Sequence, residues 1–270
     1  MTAAAFGRQF VWVGQVALVV AAVLFFAPRT VSAQPAATAQ ASNAPTEDPS
    51  WSLIGGFEAD THGTGYTFFG PAYVRPVRSN LAVTARVFGN YLYYEFEDGI
   101  GLAKVSSPGV TTGAGLRFGS TSYVGIQAGP SFKQRRKTLE RASGRSEASE
   151  GVVGVGVGAE VYANPTEHNN IHAIVDYGSA DRYLWSRVGF KEQLSNPTWS
   201  GSMTHFGGGE VIVQGNGDIR SVMLGGLFEF VHVPSTVSLV LRGGYKKSTF
   251  ALGPDKTGPY FGVGFYKRLN

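Results

Sequence analysis

The 270-residue chain has no cysteine, which excludes disulfide frameworks, thiolate metal sites and cysteine nucleophiles. Charge is scarce: Asp, Glu, Lys and Arg make up 16% of residues, against about 25% in an ordinary soluble domain. Neither sign dominates, with 23 basic and 19 acidic residues. A surplus of that size does not point to nucleic acid, and no nucleic-acid partner is expected. Beyond the N-terminal region no stretch keeps a sustained helical period. What the chain does have is glycine, at 37 residues, and aromatic side chains, at 13%. Low charge with many aromatics excludes disorder for most of its length.

The first 33 residues have the layout of a secretory leader. Arg8 supplies the basic start, Val16 to Ala27 (VALVVAAVLFFA) the apolar run, and Val31-Ser32-Ala33 the small residues of a cleavage site before Gln34. An uncleaved anchor is the alternative, but Gly14 and Gln15 interrupt its backward extension. The leader carries Arg8 and Arg29 and no acid, so its removal leaves a net charge of +2. Residues 34–50 (QPAATAQASNAPTEDPS) have the composition of a flexible linker, and residues 51–270 form the expected folded domain.

From Trp51 onward the dominant period is two. Leu81, Val83, Ala85, Val87, Tyr91 and Tyr93 oppose Thr84, Arg86 and Asn90. Val153, Val155, Val157, Ala159 and Val161 oppose three glycines and Glu160, and Val237, Leu239, Leu241 and Tyr245 oppose Ser238, Arg242 and Lys246. The pattern predicts twelve strands near 51–60, 65–75, 81–95, 109–118, 122–133, 151–163, 171–178, 182–192, 205–214, 219–231, 237–248 and 259–268. Turn residues separate them, among them Arg78-Ser79-Asn80, Gly119-Ser120-Thr121, Asn164-Pro165 and Gly215-Asn216-Gly217-Asp218.

An exported chain with an even number of strands of this length fits an all-β, antiparallel transmembrane barrel in the outer membrane. Strands cross lipid only in a closed sheet, because an open edge leaves backbone groups unpaired. A soluble periplasmic sandwich or barrel would show the same periodicity with its faces reversed. Aromatics near strand ends favour the membrane, as interfacial girdles: Tyr66, Phe68, Tyr91, Tyr93, Tyr94, Phe228, Phe230, Tyr260, Phe261, Phe265 and Tyr266. Thr257 to Val263 has the polar–Gly–x–x–aromatic–x–apolar form of a barrel-terminal strand, although the chain ends in Leu269-Asn270 rather than an aromatic residue. With a periplasmic N-terminus, the long connections expected at 95–108, 134–150 and 251–258 face outward, and the one at 193–204 faces the periplasm.

The lumen-lining candidates are Arg86, Asn90, Arg117, Glu160, Asp176, Arg187, Glu210 and Arg242, with Lys246 and Glu229 among the other inward charges. Balanced signs suit ion pairs that fill a narrow barrel, since unpaired buried charge is costly. The run Lys133 to Glu150 holds six basic and three acidic residues. It would either touch lipopolysaccharide or simply solvate a mobile loop, and the second reading is preferred. His62, His168, His172, His205 and His232 show no zinc spacing, so no metal site and no cofactor are expected. His172 with Asp176, and His232 with Ser235, are the pairs from which an enzyme could be built. Without a catalytic spacing the chain is read as a non-enzyme.

The ordered motifs resemble those of the cellulose biosynthesis protein BcsS family. The likeness runs from Gly55-Gly56-Phe57-Glu58 and Tyr66, through Gly89 to Glu95, Ser107-Pro108-Gly109 and Gly113 to Leu116, to Tyr183-Leu184-Trp185-Ser186-Arg187-Val188-Gly189. It continues in Gly208-Gly209-Glu210-Val211, Gln214-Gly215-Asn216 and Thr257 to Gly264. The resemblance implies an outer-membrane barrel accessory to cellulose biosynthesis or export. Its partners would be outer-membrane lipid and lipopolysaccharide, with cellulose or the cellulose synthase/export complex beside them. It brings no catalytic residues. A small porin or structural membrane protein, and a lipid-modifying enzyme, are the alternatives.

Overall fold

The computed structural model describes residues 48–97, 100–195 and 202–269. The expected leader, and all of the expected linker before residue 48, lie outside the described residues. The described chain is all β. Its strands are β1 (Ser50–Asp60), β2 (Gly65–Arg78), β3 (Leu81–Glu97), β4 (Leu102–Gly119), β5 (Tyr123–Arg141), β6 (Gly144–Ala163), β7 (Asn169–Gly178), β8 (Tyr183–Ser195), β9 (Met203–Gly215), β10 (Ile219–His232), β11 (Val237–Phe250) and β12 (Lys256–Arg268). Each pairs antiparallel with its sequence neighbours, and β12 pairs with β1 to close the barrel. The closing register sets Gly56 opposite Gly264 and Phe57 opposite Val263.

Burial decides between the two environments that the alternation left open. Val83, Val87, Val110, Leu116, Ile126, Val153, Val155, Leu224, Leu239 and Leu241 are all exposed on the outside of the barrel. A soluble barrel would turn these faces inward; an exterior of this kind is solvated by lipid. No helix among the described residues is long and apolar enough to cross a membrane; here strands cross.

The long connections expected at 95–108 and 134–150 are mostly strand. β3 runs on to Glu97 and β4 begins at Leu102, while β5 and β6 are separated only by residues 142–143. The charged run Lys133 to Glu150 is therefore a regular hairpin and not a loop, with Arg135 opposite Glu150 and Glu140 opposite Arg145. At 17 to 20 residues, β3 to β6 exceed the roughly 9–11 needed to cross the bilayer, so their far ends stand clear of lipid. In water both faces of a hairpin can be polar, so alternation fades while pairing continues. The connection at 251–258 shrinks to 251–255. Of the expected 193–204 connection, residues 193–195 belong to β8 and 203–204 to β9, and residues 196–201 lie outside the described residues.

The aromatic girdle also needs correction. Tyr66, Phe68 and Tyr266 line the lumen, and Tyr94 and Tyr260 are buried inside it. Tyr91 and Phe261 do point outward, with 41% and 55% exposure.

One half of the lumen is filled. Leu92, Tyr94 and Phe96 of β3, Ala103 and Val105 of β4, Leu139 of β5, Ile212 of β9, Met223 of β10, Phe250 of β11 and Tyr260 of β12 pack into one apolar plug, whose cavity-facing side carries Tyr183 and Trp185 of β8. Tyr94 and Ile212 are 0% exposed and Met223 is 1%. Phe96 stacks on both Tyr94 and Phe250, at 6.1 and 5.9 Å between ring centres. The turn between β9 and β10 is latched over this plug: Asp218 accepts hydrogen bonds from Tyr94 Oη at 2.8 Å and from Arg135.

Candidate binding cavity in the barrel lumen

Beneath the plug lies a cavity of about 410 Å³, whose lining reaches Ser50, Pro76 and Arg268 at the rim where the first strand begins and the last one ends. Its ceiling is the aromatic plug. It thus runs from one rim into the barrel and ends blind.

Inward positions of consecutive strands bring opposite charges together. Arg86 of β3 pairs across the lumen with Asp176 of β7. Glu160 of β6 accepts a hydrogen bond from Tyr123 Oη at 2.8 Å and lies 2.7 Å from His172 Nε2. The other imidazole nitrogen, Nδ1, is 3.2 Å from an Arg187 nitrogen. Arg242 Nε donates to Glu210 at 3.1 Å, and Tyr260 Oη donates to the second oxygen of that carboxylate at 3.3 Å. Lys191 pairs with Glu229, which also accepts from Ser238. Lys246 pairs with Asp60 at 2.8 Å, and both are deeply buried. Asn90 donates to Thr111 Oγ1 at 3.2 Å and accepts from Lys133. Arg117 lies over the ring of Tyr123, 3.5 Å from its centre. Of the sequence candidates, Arg86, Asn90, Arg117, Glu160, Asp176, Arg187 and Arg242 line the cavity itself, whereas Glu210 stands behind Arg242.

Several lining residues escaped the sequence reading. Lys133, assigned there to the charged loop, points inward 3.5 Å from Asp181, which the β7–β8 turn folds into the lumen. A turn residue has no face parity, so nothing in the sequence flags Asp181. Glu58 was readable from parity, since it shares the inward face of β1 with Ser52 and Ile54. It is 7% exposed, and among the described residues its Oε2 has no hydrogen-bond partner. Trp185 Nε1 is likewise buried with no hydrogen-bond partner among the described residues. Aromatic rings complete the wall: Tyr66 stacks on Tyr183 at 6.0 Å, and Tyr123 on Tyr162 at 5.4 Å.

The histidine pairs do not assemble a familiar catalytic set. His172 meets Glu160, not Asp176, and its second nitrogen faces an arginine, with no hydroxyl nucleophile bonded to either. His232 Nδ1 lies 2.5 Å from Ser235 Oγ in an exposed turn, but no carboxylate bonds to that imidazole among the described residues. The same residues contain no cluster of three metal-ligating side chains.

The β domain of the Bordetella autotransporter BrkA is similar at 14% identity and a TM-score of 0.48, over 82% of this chain and 98% of that one. LpxR from Salmonella typhimurium is similar at 10% identity and a TM-score of 0.43, over 80% and 99%. An outer membrane channel from Pseudomonas putida F1 is similar at 7% identity and a TM-score of 0.43, over 88% and 100%. A comparison with curated proteins finds no match. The family profile of cellulose biosynthesis protein BcsS matches residues 55–269, nearly the whole span from β1 to β12. A closed, lipid-facing barrel matched over that length is an outer-membrane protein, and the chain belongs to the cellulose biosynthesis protein BcsS family.

Proposed function

We propose that the barrel is a non-catalytic outer-membrane accessory of cellulose production, which meets the polymer or its synthesis and export machinery without conducting the chain through its own bore. The observation that carries this reading is the plug: in a barrel of the cellulose biosynthesis family, the fully buried Tyr94, Ile212 and Met223 pack across the lumen from opposite walls. A porin needs a continuous wet path, and a polymer conduit a wider one. Against the enzyme reading stands His172, held between Glu160 and Arg187 with no nucleophile to activate. Lipid and lipopolysaccharide surround the barrel, with the exposed β5–β6 arm reaching into the polar layer.

Gene deletion, with complementation, tests the reading. Loss of the gene should lower or mislocalise cellulose while leaving lipid A and general solute uptake unchanged. His172→Gln keeps hydrogen-bonding capacity but cannot relay a proton at neutral pH, and it should restore cellulose to the wild-type level. A folded His172→Gln barrel that fails to complement, or a deletion that alters lipid A and spares cellulose, would put the enzyme reading first.

A further inference from the structure

We propose that the blind cavity is a binding site for a neutral β-linked glucan chain end, with Tyr66, Tyr183 and Trp185 stacking on sugar rings and Glu58 accepting hydrogen bonds from their hydroxyls. The proposal rests on the function above and names what the lumen takes.

Charge comes first. Arg86 is matched by Asp176, Lys191 by Glu229, Lys133 by Asp181 and Arg242 by Glu210, while Glu160 and Arg187 hold the two ring nitrogens of His172 between them, so most of the lining cancels itself. A site for an anionic polymer or a phosphate would leave cations unmatched. Here the buried side chain with an orphaned oxygen is a carboxylate. Among the described residues nothing hydrogen-bonds Glu58 Oε2, and Arg242 and Arg187 act on the carboxylate through space without an ion pair to it. A buried carboxylate oxygen without a partner is costly, and a ligand hydroxyl that donates to it relieves that cost. It repels anions, and it accepts from neutral hydroxyl groups.

Shape comes second. Tyr66 lies opposite Glu58 in the β1–β2 register, and its ring stacks on that of Tyr183 across the lumen. Trp185 is the next inward residue after Tyr183 on β8, and its Nε1 has no hydrogen-bond partner among the described residues. Tyr123 and Tyr162 stack farther toward the rim. β-linked glucose has equatorial hydroxyls and flat C–H faces, so its rings suit aromatic surfaces while the hydroxyl edges reach polar groups. The volume of about 410 Å³ lies within the roughly 300–1,000 Å³ of ligand pockets. A cavity entered from a single rim admits a chain end and not a threaded chain.

Titration of the purified, detergent-solubilised barrel with cellohexaose, maltohexaose and oligogalacturonate, followed by calorimetry, tests the site. Cellohexaose should bind saturably, and the other two at least about tenfold more weakly, since a mismatched or repelled ligand leaves polar groups unpaired. Trp185→Phe keeps the ring and removes the Nε1 donor, and it should weaken binding by roughly fivefold to tenfold. Glu58→Leu should weaken binding at least as much while raising the thermal midpoint, because it removes a buried, unsatisfied charge. Heat-modifiable migration on gels confirms that each variant folds. No cellohexaose binding by folded wild type, equal binding of the acidic oligomer, or unchanged binding in both variants would overturn the site. A deletion that lowers cellulose alongside absent sugar binding rejects the site and keeps the accessory role. Sugar binding alongside unchanged cellulose rejects the role and keeps the site.

Discussion

Gly158 shows how single residues set the shape of this lumen. A methyl on its inward face would run into the Asp176 carboxylate, with Gln127 Nε2 at 3.1 Å and an Arg86 nitrogen at 3.2 Å. The missing side chain makes room for the Arg86–Asp176 pair, and Gly264 does the same beside Arg242. Gly158→Val should destabilise the barrel by about 1–3 kcal/mol through overpacking, read as a lower unfolding midpoint in urea. On the outside the cost is one of environment. Leu241→Arg should cost about 2–4 kcal/mol if it lies near the bilayer midplane, whereas Val240→Gln, one residue before it and facing the cavity, should cost much less. Refolding into lipid vesicles at graded urea measures both, and equal losses would mean that the wall is reversed. Which residues of a strand share a face was legible from the sequence, because alternation carries it; which face turns in was settled by burial. The contacts were not: parity puts Ser238 inside but cannot show that it is buried against Glu229, so an arginine there would be far costlier than its small polar side chain suggests. Tyr94 shares a face with Arg86 and Asn90, and parity alone places it in the lumen. Its position near a strand end pointed to a girdle instead, and that inference failed.

Among the elements, β5 and β6 differ most from an ordinary spanning pair. Over residues 144–155 β6 pairs with β5 alone, because β7 joins only from Gly156. β5 has β4 on its other side as far as Leu102↔Glu140. The outermost part of β6 is thus the free edge of a ribbon, with residues 144–151 exposed on both faces. A ribbon edge of this kind is weakly held. Hydrogen exchange followed by mass spectrometry should find fast exchange at 144–151 and strong protection at 156–163. Equal protection would mean that another molecule covers the arm. The outer end of β6 was illegible in the sequence for the same reason that it is exposed. Outside the bilayer nothing selects apolar residues on one face, so the run from Lys133 to Glu150 has the composition of a loop while its backbone stays paired.

At the scale of the molecule, strand number and closure could be read from the chain, since each crossing repeats one pattern and lipid forbids an open edge. The plug could not. Its members come from β3, β4, β5, β8, β9, β10, β11 and β12, and only the closed barrel brings Phe96 against Phe250, or the Asp218 turn against Arg135. That plug separates a blind cavity from a channel, and the account of this protein depends on it. Single-channel recording of the purified barrel in planar bilayers is the most direct test. The wild type should show no sustained conductance, and a variant with Met223→Gly, Ile212→Gly and Phe250→Ala should show discrete open steps. Stable ohmic steps from the wild-type protein would contradict the account.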